Sequence, residues 1–175
     1  LASPQNRLFT ALRRWRNRAS PNTPAGSRSN IQRHYDIGND FFKLWLDEEM
    51  VYTCAYFPSP TLSLEQAQYS KMDYVCRKLR LQPGESVIEA GCGWGALADR
   101  IARSGAKVTA ISLSDEQLRW AREQASTAIE FRKQDYRETA GQYDAIASVE
   151  MVEALGREYW PTFMDCLARN LKPGG

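Results

Sequence analysis

The residues best suited to chemistry form a glycine-rich segment in the middle of the chain. The segment reads Glu89-Ala90-Gly91-Cys92-Gly93-Trp94-Gly95 and follows the apolar pair Val87-Ile88. Glycines at alternate positions after a strand let the backbone turn sharply and approach a ligand where a Cβ atom would collide. A helix that begins directly afterwards would point its free N–H groups at the same ligand. The segment therefore predicts a nucleotide-cofactor loop.

The identity of the cofactor follows from the glycine spacing and from Glu89. The spacing is G-x-G-x-G rather than the G-x-G-x-x-G of dinucleotide-binding folds. A carboxylate just before the first glycine repels a pyrophosphate but attracts the ammonium and sulfonium groups of S-adenosylmethionine. We therefore predict S-adenosylmethionine binding by Glu89, Gly91, Gly93 and Gly95, with a ligand-free glycine turn as the alternative.

The elements around this loop alternate between strands and helices. The predicted strands are 86–90, 107–111, 129–132 and 143–149, and the helices that follow them are 95–104, 114–125 and 157–171. This alternation is typical of an α/β, Rossmann-like fold with a parallel sheet, in which ligands bind at the carboxyl ends of the strands. Upstream, we expect one helix from Asn39 or Asp40 to Leu46, and a longer one opened by a capping box of Ser63 and Gln66. Cys76 falls on the apolar face of that longer helix and is interpreted as core packing.

Polar residues follow each later strand. Gln117 comes after the second strand and could bind the ribose hydroxyls, although Ser114 with Gln117 also fits a plain capping box. Asp135, after the third strand, is a candidate acceptor for an adenine amino group, with a surface turn as the alternative. Glu150 and Glu153 follow the fourth strand, beside the expected position of the reacting methyl group.

Composition indicates one globular domain. The chain has 175 residues, of which 43% are hydrophobic, and no apolar run is long enough to span a bilayer. The four cysteines contain no C-x-x-C pair, so neither a zinc site nor a disulfide framework is indicated, and no other metal site is expected. No signal peptide is apparent, and the expected compartment is the reducing cytoplasm.

The charge of the chain is unevenly distributed. Residues 1–35 carry a charge of +7 and the remainder −5. Leu8, Phe9, Leu12 and Trp15 recur at helical spacing among arginines, which predicts either a basic amphipathic helix on an anionic membrane or a helix that packs on protein. Without a nucleic-acid-binding motif, we favour peripheral membrane association over nucleic acid. Residues 20–29 are interpreted as a linker, with the folded domain beginning near residue 31.

The last four residues, Lys172-Pro173-Gly174-Gly175, are interpreted as a turn after a helix. A fifth strand is expected next, because a sheet that ends at the fourth strand would leave an unpaired edge. We therefore expect the chain to be a fragment of a longer protein, with its methyltransferase domain incomplete at the carboxyl end.

Several segments together resemble one enzyme family. The segments are Arg33-His34-Tyr35-Asp36-Ile37-Gly38-Asn39-Asp40-Phe41-Phe42, Met50-Val51-Tyr52-Thr53-Cys54-Ala55-Tyr56-Phe57, Leu64-Glu65-Gln66-Ala67-Gln68, Leu81-Gln82-Pro83-Gly84 and the glycine loop. From about Ile31 to the end, the chain resembles the cyclopropane-fatty-acyl-phospholipid synthases and the related mycolic-acid and fatty-acid methyltransferases. The resemblance implies transfer of the S-adenosylmethionine methyl group to the double bond of an unsaturated acyl chain, often within a membrane phospholipid. It leaves open whether the protein forms a homodimer.

The resemblance also implies roles for individual residues. The implied cofactor contacts are Tyr52, Thr53, Gly91, Gly93, Trp94, Ser112, Leu113 and Gln117. Cys54 and Glu153 are placed around a bound bicarbonate ion that acts as the base. Two positions depart from the family pattern, because Glu150 stands where many members have glycine and Ala154 where many have histidine. A related branch reads Glu-Ala here, which makes methyl transfer without ring closure an open alternative.

The chemistry of the implied reaction sets further requirements. Methyl transfer to an alkene leaves a carbocation on the chain, which aromatic faces could shelter by cation–π attraction. The candidates, some of which we expect to be packing only, are Tyr35, Phe41, Phe42, Tyr56 and Phe57. A base must then remove a proton, and Glu153, or an ion held by Glu153 and Cys54, is the candidate. The alternatives to this function are a small-molecule N- or C-methyltransferase and an inactive lipid- or cofactor-binding fragment.

Overall fold

The centre of the molecule is a four-stranded, fully parallel sheet. The computed structural model describes residues 22–35 and 37–175, and its strands are β1 (Ser86–Ala90), β2 (Lys107–Ser112), β3 (Ile129–Lys133) and β4 (Ala145–Ala147). The strand order is β3-β2-β1-β4, with every pairing parallel. The predicted α/β fold is therefore confirmed. β4 is shorter than predicted, because Tyr143 pairs with Leu171 in an isolated bridge rather than within the strand.

Helices cover both faces of the sheet. α3 (Leu64–Leu79), α4 (Ala96–Ala102) and α5 (Asp115–Gln124) contribute to the core that contains Val87, whereas α7 (Trp160–Asn170) packs on the face that contains Ile88. Adjacent residues of β1 thus face opposite cores, as side chains of a strand alternate. Cys76 packs against the first core, as predicted. Two short elements, α6 (Val152–Leu155) and a 3₁₀ turn at Arg157–Tyr159, lead into α7.

The amino-terminal elements lie near the carboxyl ends of the strands. α1 (Pro24–Tyr35) covers most of the stretch that we interpreted as a linker, so that interpretation is wrong for residues 24–29. Its start is fastened by Asn22, whose Nδ2 donates to the carbonyl oxygens of Ala154 and Leu155 at 3.0 and 2.9 Å. These tertiary contacts override the turn-like composition.

The other predictions for the residues before β1 are confirmed in part. α2 (Asn39–Phe42) begins where expected but ends four residues before Leu46. The capping box of Ser63 and Gln66 is confirmed, with both reciprocal hydrogen bonds present. The basic helix predicted at Leu8, Phe9, Leu12 and Trp15 lies outside the described residues. Across residues 22–35 and 37–175, no helix combines the length and apolar character needed to cross a bilayer.

Candidate active site

A cavity of about 1040 Å³ opens at the carboxyl ends of the strands. Glu89, Gly91, Gly93 and Trp94 line it from the glycine loop, and Ser112, Leu113, Gln117 and Asp135 line it from the next two strand ends. Tyr52, Thr53 and Glu153 also line the cavity, whereas Cys54 and Gly95 do not. The structure therefore brings eleven of the thirteen predicted site residues to one space.

The three glycines of the loop all have positive φ but differ in surroundings. Gly93, at φ 53°, has no atom of the described residues within 4 Å of the position that a Cβ would occupy. A Cβ on Gly91 would lie 3.0 Å from Sδ of Met151, and one on Gly95 would lie 2.9 Å from Cβ of Ala121. Gly95 lies outside the cavity lining and lets the loop approach Ala121 of α5 and Phe131 of β3 closely, and its contact with the cofactor stays a prediction. Gly93 is the glycine beside open space in which a ligand fits.

Glu89 is a carboxylate enclosed by the protein. Its side chain is 4% exposed, and its Oε2 has no hydrogen-bond partner among the described residues. Burial raises the pKa of Glu89 to about 8, although the backbone N–H of Ala98 and the charge of Lys71 oppose the shift. A buried acceptor without a partner is costly unless a ligand supplies a donor. A cationic group placed in the cavity would satisfy Oε2 and favour the ionised form of Glu89.

The end of β2 is organised around Gln117, which is buried. Ser112 Oγ donates to Oε1 of Gln117 at 2.9 Å, and Ser114 Oγ accepts the backbone N–H of Gln117 at 3.3 Å. A side-chain hydrogen bond from Gln117 also opposes the burial that raises the pKa of Tyr35. Gln117 therefore takes part in the helix cap and also lines the cavity.

Asp135 lines the cavity but is engaged by a neighbouring arginine. Its Oδ1 accepts the backbone N–H and Nε of Arg137 at 3.0 and 2.8 Å, and its Oδ2 accepts Nη2 at 2.6 Å. Burial opposes ionisation of Asp135, but these hydrogen bonds outweigh it and lower the pKa. Arg137 also donates to Asn22 and Ser27, so Asp135 orients a residue that fastens α1. Its proposed contact with an adenine amino group stays a prediction.

Cys54 contacts a different glutamate from the one expected. Oε1 of Glu150 accepts hydrogen bonds from the backbone N–H and Sγ of Cys54 at 2.9 and 2.7 Å. Glu153 lines the cavity, but its side chain makes no hydrogen bond within the described part of the chain. Cys54 thus contacts Glu150 directly, and its place with Glu153 around an ion stays a prediction. That contact uses both donors of Cys54 that an ion would need.

Only one of the five aromatic residues predicted to shelter a carbocation lines the cavity. This residue is Tyr35. Phe42 is buried in a cluster with Met50 and Trp94, so it is packing. The remaining three, Phe41, Tyr56 and Phe57, are exposed.

Lys71 and His34 are among the cavity-lining residues that were not predicted from the sequence. Lys71 donates to Oγ1 of Thr53, and burial lowers its pKa. Its position could have been predicted from the sequence, because Lys71 lies on α3 four residues from both Ala67 and Val75 of the apolar face. The ring of His34 stacks on that of Tyr52, with centroids 6.0 Å apart.

The parallel sheet, the glycine loop and the cavity at the strand ends define a Rossmann-like class I methyltransferase fold. The chain belongs to the mycolic acid cyclopropane synthetase family, whose model matches residues 23–175. This finding confirms the resemblance seen in the sequence.

Individual relatives agree with this assignment. The chain is 41% identical to the tuberculostearic acid methyltransferase of Mycobacterium tuberculosis, in an alignment that covers 85% of the chain and 38% of the relative. It is 40% identical to the cyclopropane-fatty-acyl-phospholipid synthase of Escherichia coli, in an alignment that covers 82% of the chain and 38% of that relative. The chain thus spans about two fifths of the length of these relatives.

Two solved structures are similar over much of the chain. The mycolic acid cyclopropane synthase CmaA1, complexed with SAH and CTAB, superposes with a TM-score of 0.78 and 31% identity, covering 83% of this chain and 53% of that one. Coclaurine N-methyltransferase, bound to N-methylheliamine and SAH, gives a TM-score of 0.68 and 25% identity, covering 76% and 41%.

Proposed function

We propose that the protein binds S-adenosylmethionine in this cavity and methylates the double bond of an unsaturated fatty acyl chain. The observation that carries the proposal is the buried Oε2 of Glu89, which finds no hydrogen-bond partner within residues 22–35 and 37–175 and lies in the cavity of a chain from this family. The names of the relatives, which describe lipid methyltransferases and cyclopropane synthases, supply the substrate class.

The residues of the cavity fit the proposed cofactor. Glu89 would bind the ammonium group in the amino-acid part of the cofactor. The open space at Gly93 would let the cofactor lie close to the backbone of the loop. Gln117, with its amide held by Ser112, would hold the ribose. When bound, the cofactor supplies an electrophilic methyl group on a sulfonium. The protein's part is to hold the acceptor chain, exclude water and accept the proton that the product loses.

A bicarbonate base is part of the family resemblance but fits these contacts poorly. The two donors of Cys54 that would hold the ion already bind Glu150. Association with a phospholipid surface through the basic residues 1–35 stays a prediction.

A labelling experiment tests the proposed function. The complete protein would be incubated with methyl-labelled S-adenosylmethionine and phospholipid vesicles that contain oleoyl chains, with vesicles of saturated chains as the matched control. We expect label in the lipid fraction of the oleoyl vesicles alone. Equal label with saturated chains, or none with either, would contradict the proposal.

The second candidate is a small-molecule N-methyltransferase. The similarity to coclaurine N-methyltransferase favours it, at a TM-score of 0.68. The same assay with a panel of secondary amines separates the two, because label found only in an amine would replace the lipid proposal.

A further inference from the structure

Glu150 has a backbone conformation that costs free energy. It follows β4 with φ 53°, in the left-handed region that non-glycine residues avoid. Such a conformation costs on the order of 1 to 2 kcal/mol for an L residue. Arg80 has a similar φ but ends α3, where this conformation is a common cap. Glu150 ends no helix, so an unfavourable conformation is kept at the cavity wall, which is where such strain tends to mark function.

The side chain of Glu150 is held by one residue. Its Oε1 accepts both the backbone N–H and Sγ–H of Cys54, two donors on a segment 96 residues away. The hydrogen bond with Glu150 raises the pKa of the Cys54 thiol, so the thiol keeps its proton and remains a donor. Two donors on one oxygen fix the orientation of the carboxylate and leave Oε2 without a hydrogen bond in the part of the chain that the structure describes.

A positively charged side chain lies near Glu150. Lys71, whose side chain is half-buried, is close enough for its charge to interact with Glu150 and with Cys54. Lys71 is held in turn by Thr53, the residue before Cys54. Lys71 and Glu150 both line the cavity, and the cavity gives Oε2 access to a bound acceptor chain.

We propose that Oε2 of Glu150 accepts the proton that the acyl chain loses after methyl transfer, an inference that rests on the proposed function. The methylated chain is a carbocation, and a C–H bond breaks either on a carbon next to the cationic centre, which gives an alkene, or on the transferred methyl group, which closes a cyclopropane ring. Its electron pair forms a new carbon–carbon σ or π bond, and the proton forms an O–H bond on Oε2. The proton then passes to water, which restores the carboxylate, and no oxidant or reductant is consumed. Glu150 thus takes the place that bicarbonate has in the family resemblance.

The test compares Glu150→Gln, Glu150→Gly and the exposed control Glu123→Gln in the complete protein. With oleoyl vesicles, we expect kcat of both Glu150 variants to fall by about 10² or more, with KM changed less than threefold, because general-base catalysis contributes about that factor. Added formate or bicarbonate should restore part of the kcat of Glu150→Gly, since the removed side chain leaves room for a small anion beside Cys54. The wild type should not respond to either anion.

A second readout does not need turnover. The rate at which iodoacetamide alkylates Cys54, followed by peptide mass spectrometry across pH, should show a lower pH midpoint in Glu150→Gln than in the wild type. An unchanged midpoint, or a kcat within threefold of wild type in Glu150→Gln, would overturn the inference. So would stimulation of the wild type by bicarbonate. If the wild type methylates no unsaturated chain, the proposed function fails instead, and the two failures are thereby distinguished.

Discussion

Nε1 of Trp94 donates a hydrogen bond to Oδ1 of Asn39 across 2.8 Å. This bond joins the glycine loop to α2, and the indole of Trp94 is almost completely buried. The loop that lines the cavity is therefore held by a residue from a motif 55 positions earlier.

Substitution of Asn39 should therefore affect both stability and binding. In Asn39→Ala the buried indole N–H loses its partner, so we expect the free energy of unfolding to fall by about 1 to 3 kcal/mol. Weaker binding of S-adenosylhomocysteine should accompany this loss, because the loop is less ordered. Urea unfolding and calorimetry measure the two effects, with the exposed Gln124→Ala as the control. Equal stability of the two variants would show that the hydrogen bond does not contribute.

Gly95→Ala should destabilise the fold strongly. The added Cβ would lie 2.9 Å from Cβ of Ala121 and 3.2 Å from the ring of Phe131, at a φ of 90°. Overpacking of this kind costs about 1 to 3 kcal/mol, and the positive φ adds to that cost. Thermal unfolding should show a clearly lower Tm, and an unchanged Tm would contradict the packing role.

Gly93→Ala provides the contrast within the same loop. Its Cβ meets no atom in the part of the chain that the structure describes, so the expected cost is only that of the left-handed conformation, about 1 kcal/mol. The added methyl group would instead occupy the space proposed for the ligand. We expect calorimetry to show a loss of S-adenosylhomocysteine affinity of at least tenfold, while Tm falls less than in Gly95→Ala. Retained affinity would move the ligand away from Gly93.

The buried carboxyl of Glu89 should make stability depend on pH. Its folded pKa is about 8 and its ordinary value is 4.5, so the folded state holds a proton that the unfolded state has lost between these pH values. The stability of the wild type relative to Glu89→Gln should therefore fall as pH rises through this window, by about 1.4 kcal/mol per pH unit. Above pH 8 the difference should level off. Urea unfolding at a series of pH values measures it, and parallel curves for the two proteins would contradict the raised pKa.

The same pKa predicts proton release on binding. At pH 7 the cationic part of S-adenosylhomocysteine should ionise Glu89, so that up to about one proton is released per ligand bound. Calorimetry in buffers of different ionisation enthalpy counts this proton. In Glu89→Gln the count should be near zero, and an equal count in both proteins would assign the proton to another group.

The ion pair of Asp135 and Arg137 should contribute more to the free energy of unfolding than a neighbouring, exposed ion pair does. Asp135→Ala leaves Arg137 largely buried without its partner, and we expect a cost of about 3 to 5 kcal/mol. Glu138→Ala removes the exposed pair with Arg28 and should cost less than about 1 kcal/mol. Because the pKa of Asp135 is lowered, its contribution should be present above its ordinary value of 3.8 and disappear at lower pH. Urea unfolding that ranks the two variants in the opposite order would contradict this account.

The parts of the fold predicted well are those coded locally. The capping box at Ser63 and the strand-loop-helix unit around Glu89 depend on residues close in sequence, and both are present. α1 was missed because Pro24, Gly26 and Ser27 favour turns, whereas the contacts of Asn22 and Arg137 that stabilise it come from distant positions. The alternation of strands and helices could be predicted because it does not depend on such contacts between distant residues.

The site shows the same division. Residues at or shortly after a strand end, such as Leu113 and Gln117, were placed correctly at the cavity. The contact between Cys54 and Glu150 could not be foreseen, because 96 residues separate them and only the tertiary fold brings them together. Gly95 was assigned to the ligand because sequence spacing does not distinguish a glycine that faces open space from one that faces a neighbouring helix.

The loop glycines would respond differently to evolutionary drift. A lineage that changed its ligand could replace Gly93 at modest cost, because nothing in the protein occupies the adjoining volume. Replacement of Gly95 would require a smaller side chain at position 121 or 131 at the same time, and glycine is the only residue smaller than Ala121. The third glycine of the loop thus reflects how closely the loop packs on α5 and β3, and it would persist in descendants that had abandoned the original chemistry.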